Sequence, residues 1–171
     1  MSGFHTPSQS EIYATLPLML HERRNNIRLI NGLVIAELVG TAAFVFFGIT
    51  KNDPRILLGI IPVFIFLIPT VIIAIKNTRA ENAKVKMLEE GDVLIIDAQV
   101  INKGEKNQGR YATVKYVDAE YLDNGKQRIQ TFIVTRWLYK RSKIGGTGYI
   151  LKFSGDSKWI DGKMVFLPKK K

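Results

Sequence analysis

Two unbroken apolar runs, at 29–50 and 56–75, dominate the hydrophobic pattern, and beyond position 90 the pattern changes to a two-residue alternation. The runs read LINGLVIAELVGTAAFVFFGIT and ILLGIIPVFIFLIPTVIIAI, and the second carries no charge over its 20 residues. A helix rising about 1.5 Å per residue needs about 20 residues to cross a hydrocarbon core about 30 Å thick, so each run predicts a transmembrane helix. The polar link KNDPR at 51–55 is long enough for an antiparallel turn, which makes the pair a transmembrane helical hairpin.

The flanks set its expected sidedness. Arg23, Arg24 and Arg28 precede the first run, and Lys76, Arg79, Lys84 and Lys86 follow the second. The link carries only Lys51 and Arg55, with Asp53 between them. By the positive-inside bias both termini are expected to be cytoplasmic, in a multi-pass protein of a cell inner membrane. The first run begins too late for a secretory signal and has no small-residue cleavage site after it, and Met-Ser at the start does not fit myristoylation. The arm at 1–28 opens with MSGFHTPSQS, small and polar around Pro7, which reads as disordered. Ser10 with Glu11 is a candidate cap for a helix bearing Ile12, Leu16, Leu18 and Leu20. Pro17 either interrupts that helix or opens the one that continues.

Residues 76–90 (KNTRAENAKVKMLEE) favour a helical linker that stops at Gly91. From there to 171 the chain reads as a small β-domain. Strands are expected at 93–101 and 111–122, with the polar stretch NKGEKNQGR between them as a loop. Asp123-Asn124-Gly125-Lys126 marks a tight hairpin turn needing positive φ, with a return strand at 127–134. TRWLYKRSKIGGTG is a helical turn or a loop, 149–153 a further strand, and Asp161-Gly162 the turn of a last hairpin with Trp159-Ile160 and 164–167. The fold class is thus an α+β membrane protein: a two-helix hairpin followed by an OB/SH3-like barrel or a bent sheet.

The order of AQVINKG, YATVKYVDAEYLDNGK and a glycine before YILKF resembles bacterial proteins that pair two transmembrane helices with a small β-domain, NfeD-like proteins among them. Over about 85–171 that resemblance implies an OB-type barrel and a scaffolding or accessory role, with no catalytic residues to carry over.

Composition narrows the chemistry. With no cysteine there is no disulfide framework, thiolate nucleophile or thiolate metal site. His5 and His21 lie far from any paired carboxylates in the sequence, and Asp92, Asp97, Asp118, Glu120 and Asp123 are scattered, so neither a metal, a cofactor nor an acid/base pair is expected. Gly145-Gly146-Thr147-Gly148 lacks the Lys-Ser/Thr and helix of a phosphate loop. The net charge of +10 implies an anionic partner, membrane lipid ahead of nucleic acid.

Two places stand out as sites. In the first run Gly32, Ala36 and Gly40 form a small-residue stripe for helix contact, against the second helix or another copy. Beside them Glu37 lies about 12 Å along the helix from Leu29, where a carboxyl must be protonated or paired, with Thr41, Thr70 or a partner subunit as candidates. Pro62 and Pro69 are expected to bend the second helix. The other place is TRWLYKRSK, interleaving Arg136, Lys140, Arg141 and Lys143 with Trp137 and Tyr139. It fits a platform for single-stranded nucleic acid, a membrane-interface anchor, or a plug for the β-domain. The function these features suggest is a membrane-anchored accessory or scaffolding subunit of a larger assembly, of secretion or conjugation type, with other subunits or its own copies as partners. The alternative is a tethered module binding nucleic acid or anionic lipid.

Overall fold

The computed structural model describes residues 3–51, 60–108, 112–155, 160 and 163–169. It has α+β architecture and divides into two compact units, Met1–Glu22 with Ala83–Lys171, and Arg23–Asn82. Helix α1 spans Gln9–Lys51 and α2 spans Ile60–Glu90. The expected link at 51–55 falls, apart from Lys51, outside the described residues, as does the start of the run at 56–75; the side chain of Pro62 is likewise outside them.

In the unit Arg23–Asn82 the large side chains of α1 point outward. Leu29 is 69% exposed, Phe46 65% and Ile49 66%, and along α2 Ile65, Ile68 and Ile72 are exposed as well. By length and composition α1 suffices to cross a membrane; it is the one such helix among the described residues. Arg23 Nε donates to Asn82 Oδ1 at 2.8 Å, and Thr70 Oγ1 reaches Glu37 Oε1 at 3.4 Å. Contacts that advance along α1 from 23 to 37 retreat along α2 from 82 to 70, so the two helices are antiparallel neighbours.

The other unit is built on one antiparallel sheet. Strands β1 (Val93–Gln108), β2 (Ala112–Asp123), β3 (Lys126–Val134), β4 (Thr147–Phe153) and β5 (Met164–Pro168) lie in the order β3-β2-β1-β4-β5. The short helix α3, Arg136–Arg141, links β3 to β4. Alternation works as expected: Val117 and Ala119 of β2 and Ile150 of β4 are fully buried. On β1 the adjacent Ile95 and Ile96 are both fully buried, so both sheet faces are covered there. The edge strands β3 and β5 are not hydrogen-bonded to each other, yet the rings of Phe132 and Phe166 meet at 6.0 Å between centroids. The result is a strongly bent sheet with its two edges bridged by side chains.

Three expectations need correction. The stretch 102–108 belongs to β1 rather than to a loop. Its polar residues find register partners on β2: Asn102 Nδ2 donates to Asp118 Oδ2 at 2.9 Å, Glu105 pairs with Lys115, and Thr113 Oγ1 donates to Asn107 Oδ1 at 3.2 Å. The amino-terminal arm is ordered from Gly3. His5 and Ile95 exchange backbone bonds of 3.0 and 2.8 Å, and the Phe4 ring meets Tyr121 edge-on at 5.9 Å. Finally, Ser8 rather than Ser10 starts the helix: the Ser8 N–H donates to Glu11 Oε2 at 2.8 Å and the Glu11 N–H returns to Ser8 Oγ at 3.4 Å, a reciprocal capping box. The helix then runs through Pro17 without a break. Other expectations match the structure. Asn124 (φ 51°) and Gly125 (φ 77°) form the two-residue turn, and Gly91 (φ 75°) ends α2. The turn at Asp161-Gly162 and Trp159 lie outside the described residues, as does Tyr111.

Gly148 is required by packing rather than by φ. A Cβ there would lie 2.4 Å from the Phe166 ring and 2.7 Å from the Leu167 carbonyl oxygen. Gly148→Ala should cost about 1–3 kcal/mol and lower the midpoint of thermal unfolding. Gly32→Ala, with nothing within 4 Å of the added Cβ, should not lower it. Equal midpoints for the two variants would refute the packing argument.

Burial alone would raise the Glu11 carboxyl pKa, but the Ser8 N–H and hydroxyl and the nearby His5 outweigh it and hold it below its ordinary value of 4.5. A depressed carboxylate contributes stability that is present above its unfolded pKa and lost as pH falls through the folded one. In unfolding titrations from neutral pH down to about pH 3, Glu11→Gln should therefore lose less stability than the parent. A parallel acid dependence would remove Glu11 from the account.

Candidate basic groove

Helix α3 is where the basic stretch becomes a surface. Thr135 caps it, its hydroxyl accepting from the Leu138 N–H at 3.4 Å while donating to the carboxylate of Glu22 at 2.8 Å. At the other end the Lys103 ammonium donates to the carbonyls of Tyr139, at 3.2 Å, and Ser142, at 2.8 Å, where the last turn of a helix leaves acceptors unused. Leu138 is buried and plugs the sheet unit, whereas Trp137 and Tyr139 are half-buried. Arg136, Lys140, Arg141 and Lys143 are thereby left exposed.

Both aromatic rings already have neighbours. The His21 ring lies against Trp137 at 4.1 Å between centroids and the Arg141 guanidinium sits over the same ring at 4.8 Å. The ammonium groups of Lys103 and Lys115 sit over Tyr139 at 4.5 and 4.8 Å. A single-strand platform needs ring faces open for bases, and here each ring is engaged by cations of the same chain.

Around α3 run two grooves. One, of about 550 Å³, is walled by Tyr13, Pro17, Leu18 and His21 of α1 against Trp137 and Tyr149. The other, of about 330 Å³, has Lys140, Lys143, Gly146 and Thr147 on its walls. Arg141, Pro168 and Lys169 line both, and neither has a carboxylate among its described lining residues. Lys169 is held in place: its ammonium donates to Asp97 Oδ1 at 2.7 Å and lies 4.3 Å from the centre of the Tyr149 ring. Burial works against its charge, but the Asp97 carboxylate and Tyr149 outweigh that and raise its pKa above the lysine value of 10.5.

The structure thus brings Arg136, Trp137, Tyr139, Lys140, Arg141 and Lys143 together on and around one short helix, and adds residues that sequence reasoning did not assign to a site: Tyr13, His21, Tyr149 and Lys169. The tail had read as a solvated run of lysines; of it, Lys170 and Lys171 lie outside the described residues. The second site keeps its two parts apart. Gly32, Ala36 and Gly40 are exposed, with nothing within 4 Å of a Cβ on either glycine. Glu37 is half-buried, receives Thr70 at its Oε1, and has no hydrogen-bond partner at its buried Oε2. The Thr41 hydroxyl bonds the backbone carbonyl of Glu37, at 2.7 Å, rather than its carboxyl.

Lys103 ties β1 to the end of α3, so its loss should loosen the basic surface. Lys103→Met should cost about 1–3 kcal/mol and speed amide exchange at Tyr139–Ser142 before it affects β2. Unaltered exchange there would show that α3 is held by Leu138 and Thr135 alone. Compared with known proteins, the chain matches no family model, no curated protein and no solved structure.

Proposed function

We propose that the chain is a membrane-anchored accessory or scaffolding subunit, without catalytic activity of its own, that presents its bent-sheet unit to a larger membrane assembly. One observation carries this reading: the large apolar side chains of α1 from Leu29 to Ile49 point outward, where water would penalise them and lipid would not. The apolar run at 56–75 supplies the second span, and the distribution of arginine and lysine supports cytoplasmic termini. Glu37 supports a partner within the bilayer. Its Oε2 is buried and without a hydrogen-bond partner, a state that a donor from another subunit would relieve. The open stripe at Gly32, Ala36 and Gly40 gives a second subunit room for close approach. An NfeD-like relationship would agree with this role.

The test uses the full chain in its native membrane. The protein should resist extraction by alkaline carbonate and, in mild detergent, should migrate well above its monomer mass of 19.3 kDa, with Glu37→Gln shifting it toward the monomer. Release by carbonate would remove the anchor. A strictly monomeric species with no captured partner would remove the accessory role.

A further inference from the structure

We infer that the pair of basic grooves beside α3 is a binding site for the phosphate group of an anionic phospholipid. This rests on the reading of the chain as a membrane protein and adds a specific ligand to it. The positive charge is concentrated locally. Between Asn124 and Gly155 the sequence has seven basic residues and no acidic one. Lys140 and Lys143 are exposed with no carboxylate partner among the described residues, and Arg141 is engaged only by the Trp137 ring. Among the described lining residues these cations face no carboxylate, and Asp97 is already bound to Lys169, so a phosphate entering there would meet Lys140, Arg141 and Lys143 with their charge unneutralised.

The shape selects an amphiphile over a purely polar anion. The larger groove is bounded on one side by Pro17, Leu18 and Tyr13, the last of these 71% exposed, and on the other by Arg141 and Lys169. An apolar wall next to a cationic one suits a headgroup phosphate with its glycerol and the first carbons of its chains. The same geometry works against nucleic acid, since Trp137 and Tyr139, the rings on which bases would stack, are already covered by His21, Arg141 and two lysines. His21, on the groove wall, stands eight residues before Leu29 in the sequence, at the opening of the apolar run.

Native mass spectrometry of the detergent-solubilised full chain tests this, with phosphatidylglycerol, phosphatidylcholine, inorganic phosphate and an oligothymidine as separate probes. Phosphatidylglycerol should be retained about tenfold over phosphatidylcholine. The exposed double variant Arg141→Gln/Lys143→Gln should lose about tenfold of that retention, while Lys126→Gln/Arg128→Gln, with the same loss of formal charge, should keep it. Equal losses in the two pairs would overturn the site in favour of diffuse attraction. Inorganic phosphate binding as tightly as the lipid would overturn the lipid, and oligothymidine displacing phosphatidylglycerol would overturn the ligand class. The headgroup preference of the parent chain needs no variant, so it decides the matter even where a variant fails to fold. Carbonate extraction of the native membranes, before detergent is added, reports separately on the membrane anchor.

Discussion

Strand β1 has to satisfy its backbone along two edges for sixteen residues, and the sheet unit is arranged around how it does so. Its first half, Val93 to Gln99, pairs with β4, and from Ala98 onward it pairs with β2. That leaves the β2-side edge short of partners near Ile95. The chain fills it with its own amino-terminal arm, through the reciprocal bonds between His5 and Ile95. A register shift between Val100 and Asn102 marks where the strand passes from the buried part of the sheet to the polar ribbon it makes with β2. Buried aliphatic pairs hold one part, while cross-strand polar pairs and the close fit of Tyr116 over Gly104 hold the other.

The docked arm has a consequence for the groove. Once His5 is tied to the sheet and Ser8 and Glu11 cap α1, the first turns of that helix belong to the sheet unit, and Tyr13, Pro17 and His21 become a wall facing α3. The opposite wall depends on Lys103 and Thr135, which fix both ends of a six-residue helix too short to be stable by itself. A run of like charges would repel within so short a segment. Stacking of Arg141 on Trp137 and pairing of Lys169 with Asp97 spread that charge over aromatic faces and one carboxylate, leaving Lys140 and Lys143 to solvent.

Much of the architecture was legible because it depends on short-range chemistry. Asn124-Gly125 predicts its turn, since few other dipeptides accept two positive φ values, and Gly91 predicts a helix end for the same reason. Alternation from Val114 to Tyr121 gives a strand, and outward-facing apolar side chains between Leu29 and Ile49 follow from a run too uniform to have a polar face. The polar stretch at 102–108 was not legible as a strand, because lysine, glutamate and asparagine have no strand preference until Asp118, Lys115 and Thr113 stand opposite them. Nor was the ordered arm, whose small polar residues lack any periodicity and are fixed by one bridge at Ile95.

The sequence by itself determined the long apolar helix, the strand-rich carboxy-terminal part, the basic excess around Arg136 to Lys143 and the presence of a carboxyl at Glu37, because periodicity and composition are properties of neighbouring residues. Only the tertiary structure decided which residues stand together. His21 on Trp137, Lys169 on Tyr149 and Lys103 beneath α3 join positions from 20 to 116 residues apart, and Glu37 meets Thr70 from the far side of the chain's apolar half. The bent sheet and the packed helices bring such groups within a few ångströms of each other, and no spacing in the linear sequence encodes that distance.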